Sequence, residues 1–396
     1  MSEPWLSIIG LGEDGLTGLN TASRAALEEA DIIFGGARHL ELVGAGQRGY
    51  AWPLPFSITP VLEARGKQVA VLASGDPFWH GVGGTLADQL SPEEWRVYPA
   101  PSVFSLAAAH LGWRIEQTCC VGLHAAPFER LVPELSRGLA AICLVRDGAA
   151  AANLAAWLTS RGFGQSRCWL LEALGGPRER VTAFEARAFT ASEVRTPVAI
   201  AFVVEGDAGI PCVPGLPNDA FVHDGNITKR PVRALTLSAL APRRGERLWD
   251  IGAGSGTVSV EWALACGPGS SVIAIEMCQG RARNITANAL SFGVSDRISV
   301  IESEAPAALV GLPEPQAVFI GGGANEEMLE AVWARTRSGT RLVANAVTLE
   351  SEALFARWSS QKGGQLLRIE LADEKPLGNY RSWGPARPIV QWSVTR

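Results

Sequence analysis

Arg247-Leu248-Trp249-Asp250-Ile251-Gly252-Ala253-Gly254-Ser255-Gly256-Thr257 is the stretch whose reading decides the fold. It is a short apolar run that ends in an acid, followed by alternate glycines. An apolar-periodic run from Val258 to Ala265 comes next and reads as a helix. A strand, a glycine-rich turn and a helix form the hairpin that holds nucleotides and nucleosides. The glycines let the backbone turn tightly and approach a ligand closely, which a Cβ would prevent. A second apolar strand, Ser271 to Ile275, ends at Glu276, 20 residues past Gly256. A carboxylate there can accept hydrogen bonds from both hydroxyls of a ribose.

The spacing Gly252-x-Gly254-x-Gly256, preceded by Asp250, differs by one residue from the G-x-G-x-x-G dinucleotide fingerprint. It resembles the pattern of class I S-adenosylmethionine methyltransferases. That resemblance implies a Rossmann-like α/β domain in which Gly252, Ala253, Gly254, Ser255 and Gly256, with Asp250 behind them, face the methionine part of the cofactor. Glu276 would hold the ribose, and Glu304 and Ala305 would flank the adenine. Two rival readings stay open at this point. One is a nicotinamide-dependent dehydrogenase using the same loop, and the other is a non-catalytic nucleoside-sensing protein.

Outward from the loop, strands are expected at Leu248–Ile251, Ser271–Ile275, Ile298–Ile301, Ala317–Ile320, Thr340–Ala344, Leu366–Leu371 and Ile389–Val394. Helices fill the gaps between the first five, and the last two strands form a hairpin. This is the seven-stranded class I order. Ile227-Thr228-Lys229-x-x-Val232-Arg233, Glu304-Ala305-Pro306-x-x-Leu309 and Phe319-Ile320-Gly321-Gly322-Gly323 resemble the decarboxylating half of the precorrin methyltransferases of cobalamin synthesis. Thr228 would then close over the cofactor, and Lys229 and Arg230 would meet substrate carboxylates. Arg381, in a Gly/Pro-rich turn between the last two strands, would form part of the substrate mouth.

Asp207 to Leu216 is dense in proline and glycine and reads as a linker, dividing the chain into 1–207, a linker at 208–216, and 217–396. Before it, Trp5–Ile9, Asp31–Phe34, Val69–Ala73, Ala140–Val145, Cys168–Leu171 and Val198–Val204 read as strands. Helices are expected at Thr21–Glu29, Leu106–Leu111 and Ala149–Thr159. A glycine loop at Gly10-Leu11-Gly12 and the run Ser74-Gly75-Asp76-Pro77 resemble the tetrapyrrole methyltransferases. In that family the cofactor lies folded between two α/β subdomains. Carried over, the cofactor-binding residues are Gly10, Gly12, Gly75, Asp76, Pro77, Ser102 and Ser105. The segment Ser102-Val103-Phe104-Ser105 departs from the family's usual Gly-Val-Thr-Ser.

Taken together, the two resemblances imply a fused enzyme with two S-adenosylmethionine sites. It would methylate a precorrin at carbon-5 and carbon-15 and release the ring C acetate carboxyl, taking precorrin-6B to precorrin-8x. The conjugated macrocycle can act as the electron sink, so neither a metal nor pyridoxal phosphate is expected.

The bulk properties agree with a soluble globular enzyme. The chain has 396 residues, 47% hydrophobic and 19% charged, which suits two domains. No apolar run approaches a membrane span, and the start has no signal-peptide pattern, so a cytoplasmic protein is expected. Seven cysteines without a C-x-x-C pair point to reduced thiols rather than a structural zinc site. Residues 1–207 hold 16 basic and 22 acidic residues, and 208–396 hold 19 and 18. A net charge of −5 argues against a nucleic-acid partner. A homo-oligomer is expected. The five histidines, His39, His80, His110, His124 and His223, are scattered and read as surface or helix residues.

Overall fold

The structure, a computed structural model, describes residues 4–190 and 193–396. It divides into two compact units, one of residues through Phe128 with Glu134–Ala208, the other of Glu129–Pro133 with Gly209–Arg396. Among the described residues no helix is long and apolar enough to cross a membrane.

The first unit holds two five-stranded sheets. One contains β1 (Leu6–Leu11), β2 (Ile32–Gly35), β3 (Gly49–Ala51), β4 (Val69–Ser74) and β5 (Trp95–Tyr98), in the order β3-β2-β4-β1-β5. All of its pairings are parallel, and β1 and β4 are buried along nearly their whole length, which is why they read as unbroken apolar runs. The other contains β6 (Cys119–Gly122), β7 (Ala140–Val145), β8 (Arg167–Glu172), β9 (Arg180–Glu185) and β10 (Val198–Val203), in the order β6-β7-β10-β8-β9. Only β6 with β7 is parallel there. The helix Thr21–Glu29 has the expected bounds, with Asn20 as its cap. The helix expected at Leu106 begins three residues earlier, at Val103, because the Ser102 side chain caps it by accepting from the Ser105 amide.

The second unit is built on one seven-stranded sheet. Its strands are β11 (Arg247–Ile251), β12 (Ser271–Ile275), β13 (Ile298–Ile301), β14 (Ala317–Ile320), β15 (Arg341–Ala346), β16 (Gln365–Ile369) and β19 (Ile389–Thr395). They run in the order β13-β12-β11-β14-β15-β19-β16. The first five are parallel, and β19 is antiparallel to both of its neighbours. Apolar side chains pack on both faces, around Trp262 and Phe319 on one and around Trp249, Phe355 and Trp392 on the other. The chain leaves β11 in one direction and returns at β14 in the other, so the order reverses between them. Loops diverge at such a point and leave a crevice above the carboxyl ends of the strands.

The last two strands do pair, as expected, but the connection between them is no simple turn. It carries a second hairpin, β17 (Ala372–Leu377) with β18 (Tyr380–Pro385), which forms its own two-stranded sheet.

Candidate functional site

Above the β11–β14 reversal lies a cavity of about 890 Å³. Gly252, Ala253, Gly254 and Ser255 form part of its wall. Gly252 and Gly254 have φ of +66° and +58°, the left-handed region that glycine reaches without strain. A Cβ on Gly254 would meet nothing closer than the Asn226 carbonyl at 3.8 Å, so this backbone faces open space. The Gly254 amide donates to one oxygen of Glu276 at 2.8 Å and the Cys278 amide to the other at 2.9 Å. The carboxylate thus ties the glycine loop to β12, and each oxygen keeps a lone pair for a ligand. Ser255 is buried, and its Oγ has no hydrogen-bond partner among the described residues.

Glu304, Ala305, Thr228 and Lys229 line the same cavity. Other expected residues lie off the wall. Gly256 does so because a Cβ there would sit 2.8 Å from Ile285, so this glycine lets helix Gln279–Ser291 pack against the turn. Asp250 is fully buried behind the loop and accepts a hydrogen bond from the Ser259 hydroxyl. Burial pushes its carboxyl up to about 7; the Ser259 hydrogen bond opposes this and the Glu276 charge adds to it. The Arg230 amide donates to Asn218 at 3.0 Å, and the residue is not part of the wall. Arg381 lies in a strand rather than in the expected turn. It sits on exposed β18 and pairs with Glu374 across the hairpin at 3.3 Å, away from the wall.

Sequence reading missed Asn345, which lines this cavity from β15. Its amide donates to the Thr236 hydroxyl at 3.0 Å, and its oxygen accepts from Gln391 at 3.0 Å. The available signal was a polar residue inside each of two apolar strands, Leu-Val-Ala-Asn-Ala and Ile-Val-Gln-Trp.

The first unit has its own cavity of about 360 Å³, between its two sheets. Gly12, Gly75 and Ser102 line it. Gly10, Asp76, Pro77 and Ser105 do not, and each holds up the loops that do. A Cβ on Gly10 would fall 2.0 Å from the Gly75 carbonyl oxygen, and one on Gly75 would fall 2.7 Å from Ser102 Cα. Three loops therefore meet backbone to backbone. The Asp76 carboxylate accepts from the Phe78 amide at 2.9 Å. The Pro77 carbonyl accepts from the Gly83 amide at 2.9 Å, closing the same turn. Ser105 Oγ lies 3.0 Å from Ser102 Oγ.

The polar end of this cavity was not foreseen. Buried Glu13 pairs with Arg38, and with Arg178 at 3.2 Å. Arg38 also donates to His39 Nε2 at 3.0 Å and to Ser74 Oγ at 3.1 Å. Burial, and then the charge of Arg38, push the His39 imidazole down to about 4. His80 and His124 line the cavity too, so three of the five histidines that look scattered in sequence converge on one space.

Both units match known protein families. Residues 6–190 match the tetrapyrrole (corrin/porphyrin) methylases, and residues 219–396 match the precorrin methyltransferase domain. A precorrin-6Y C(5,15)-methyltransferase (decarboxylating) from Sinorhizobium sp is 47% identical over 401 residues, covering 99% of this chain and 97% of that protein. The chain belongs to the precorrin-6Y C(5,15)-methyltransferase (decarboxylating) family. Another member of this precorrin-6Y methyltransferase family, from Mycobacterium tuberculosis, is 38% identical over 398 residues, 98% of this chain and 99% of that one. The crystal structure of the C-terminal domain of a precorrin-6Y C5,15-methyltransferase from Rhodobacter capsulatus is 54% identical and covers 47% of this chain and all of its own, with a TM-score of 0.46. The family's name carries precorrin-6Y where the sequence resemblance suggested precorrin-6B. The dehydrogenase and sensor readings find no support among these relatives.

Proposed function

We propose that this chain methylates a precorrin twice, at carbon-5 and carbon-15, and removes the carboxyl of the ring C acetate arm, using two S-adenosylmethionine sites, one in each unit. The observation that carries this reading is the presence of two separate cavities, each walled by its own glycine loop. Both volumes lie within the roughly 300–1,000 Å³ usual for small-molecule sites. The second cavity also fits the cofactor chemically. Ser255 Oγ is a buried polar atom without a partner among the described residues, Gly254 leaves open space beside it, and Glu276 offers lone pairs to a ribose.

Under this proposal the second unit is a class I Rossmann-like methyltransferase, and its strand order supports that. Gly252, Ala253, Gly254 and Ser255 hold the methionine part, Glu276 the ribose, and Glu304 with Ala305 the adenine. Thr228 covers the cofactor, and Lys229 receives a substrate carboxylate. Asp250 and Gly256 support the loop from behind. In the first unit Gly12, Gly75 and Ser102 contact the cofactor, with Gly10, Asp76, Pro77 and Ser105 shaping their loops. When bound, S-adenosylmethionine supplies a methyl group that already sits on a sulfonium leaving group. The protein's part is to align the accepting carbon and exclude water. A cytoplasmic homo-oligomer acting on a small-molecule tetrapyrrole completes the proposal.

Mass spectrometry of the tetrapyrrole product tests it. Two methyl gains and one loss of carbon dioxide are expected, with calorimetry giving two cofactor sites per chain. A product with a single methyl, or tight binding at one site only, would overturn the two-site reading.

A further inference from the structure

Four parallel strands of the second unit end in one row of residues along its cavity. Ile275, Ile251, Ile320 and Ala344 stand in register on β12, β11, β14 and β15. The ladder runs one step further, because the Gly252 amide donates to the Ile275 carbonyl at 2.9 Å and the Gly321 amide to the Ile251 carbonyl at 2.9 Å. Glu276, Gly252, Gly321 and Asn345 therefore share one level, and Gln391 on β19, paired with Asn345, extends it. Residues at one level of a parallel sheet present their side chains to one face. Here it is the face on which Phe319 and Val343 pack with Leu237 of helix Arg230–Leu240. The row reads carboxylate, bare backbone, bare backbone, amide, amide, and its first four members line the cavity.

Across three strand spacings Asn345 stands roughly 14 Å from Glu276. In S-adenosylmethionine the sulfonium is bonded directly to the 5′ carbon of the ribose. A cofactor whose ribose lies at Glu276 brings its methyl over the two glycines, and Asn345 stands beyond it, on the side of the acceptor. We propose that the Asn345 side-chain amide contacts the substrate by donating to the carboxylate of the acetate arm that is lost, with Thr236 and Gln391 as the positioning residues that hold it. This rests on the reading that the acetate arm enters the second unit's cavity.

The amide is set in place from behind. Its Nδ2 donates to Thr236 Oγ1 at 3.0 Å and its Oδ1 accepts from Gln391 Nε2 at 3.0 Å. Gln391 Nε2 also donates to Thr236 Oγ1 at 3.1 Å. Thr236 and Gln391 are buried, and neither lines the cavity. Polar side chains in an apolar core have to be paired, and this triangle pairs its members while fixing their orientation. It leaves Asn345 one N–H unused among the described residues, on the one member that reaches the cavity. Gly322 and Gly323 line the cavity next to Gly321, and a Cβ on either would meet nothing within 4 Å. A flat macrocycle therefore has room between the glycine loop and Asn345. A neutral donor also suits a carboxylate that has to leave. When the bond to the carboxyl carbon breaks, its electron pair passes into the macrocycle and carbon dioxide departs without charge. A cation such as Lys229 attracts an anionic arm to the cavity, but bonded to the departing carboxylate it would hold the charged reactant more tightly than the transition state. A fixed amide orients the breaking bond without that loss.

Two substitutions in the full chain test this, read by carbon dioxide release. In N345L, kcat/KM for release from the acetate-bearing precorrin should fall about 10-fold or more, the loss expected for a hydrogen bond to a charged group. The inhibition constant of the decarboxylated product, measured against the same release, should not change, since that ligand lacks the carboxylate. N345D has nearly the shape of the original and keeps the oxygen that accepts from Gln391, so a merely structural role would make it the milder change. A carboxylate contact makes it the more severe one, because its charge opposes the arm. Unchanged kcat/KM in both variants, N345D milder than N345L, or product inhibition weakened as much as kcat/KM would overturn the inference. G322W separates the two levels, because its side chain would enter the open space beside the glycines from a backbone that is not left-handed. If G322W releases carbon dioxide as the wild type does, the reading that the arm enters this cavity fails. If G322W is inactive while N345L and N345D behave as the wild type, only the role of Asn345 fails.

Discussion

Asp250 shows how a residue can stand behind a cavity without lining it. Its place before the glycine loop was legible in the sequence; its burial was not, because burial depends on what packs over the strand. With desolvation pushing its carboxyl up to about 7, the folded state holds a proton that an unfolded Asp, near pKa 3.9, would already have lost. Folded protein therefore binds more protons than unfolded protein between about pH 4 and pH 7, and stability falls as pH rises through that window. The full shift amounts to something on the order of 4 kcal/mol. D250N keeps an oxygen to accept the Ser259 hydroxyl but carries no charge. Urea unfolding at pH 5 and pH 8 should show the wild type losing stability between the two while D250N stays nearly level. A parallel decline in both proteins would mean that another group sets the slope. Ser255 and Gly256 are the complementary lesson. Adjacent in the motif, one faces the cavity and the other only makes room for Ile285.

At the scale of elements, the segment that opens the second unit is held by a buried ion pair. Arg233 on helix Arg230–Leu240 donates to Glu261 on helix Thr257–Cys266 at 2.6 Å, and both side chains are out of solvent. Glu261 also accepts the amides of Gly215 and Leu216, and Arg233 reaches the carbonyls of Leu216 and Thr228. The pair thus pins Gly215, Leu216 and the segment carrying Thr228 and Lys229 to the helix that follows the glycine loop. Removing one partner strands a buried charge, so R233M should cost about 3–5 kcal/mol in urea unfolding, and R233M/E261L should cost less. Equal losses would mean that packing, not charge, is what the pair provides. The sequence motif Val232-Arg233 marked this position without revealing its partner, since the two residues are on different helices. The elements that were legible share a feature: buried parallel strands, whose apolar runs need no context. The hairpin β17–β18 was missed because every residue but one in it is exposed, including Tyr380 at 80% and Trp383 at 74%, so no apolar alternation betrays it. The convergence of His39, His80 and His124 was missed for a related reason. His39 lies on the helix Ala37–Leu42 after β2, His80 and His124 lie in loops after β4 and β6, and β6 belongs to a different sheet from the other two.

At the scale of the whole molecule, the question is which unit does which half of the reaction. The two events need different substrate poses. One pocket has to desolvate and orient a carboxylate arm beside its cofactor; the other has to present a bridging carbon and take away a proton. The second unit suits the first task. Its cavity has the larger volume, about 890 against about 360 Å³, and Lys229 on its wall has no ion-pair partner among the described residues. The charge balance of residues 208–396, 19 basic to 18 acidic, does not repel an anionic arm as the 16 to 22 of residues 1–207 would. We therefore propose that loss of carbon dioxide and methylation at carbon-15 belong to the second unit, and methylation at carbon-5 to the first. G254D is suited to separate them in the full chain. Asp tolerates the left-handed backbone of Gly254 better than most residues, and open space receives its side chain, so the fold should survive. Its charge would then stand in the cofactor's place beside Glu276. G254D should bind one cofactor per chain, add a single methyl at carbon-5 and release no carbon dioxide. V103W, whose large side chain fills the first unit's cavity, should do the reverse, adding the carbon-15 methyl with carbon dioxide released. If G254D still decarboxylates while V103W does not, the assignment of the two units is inverted.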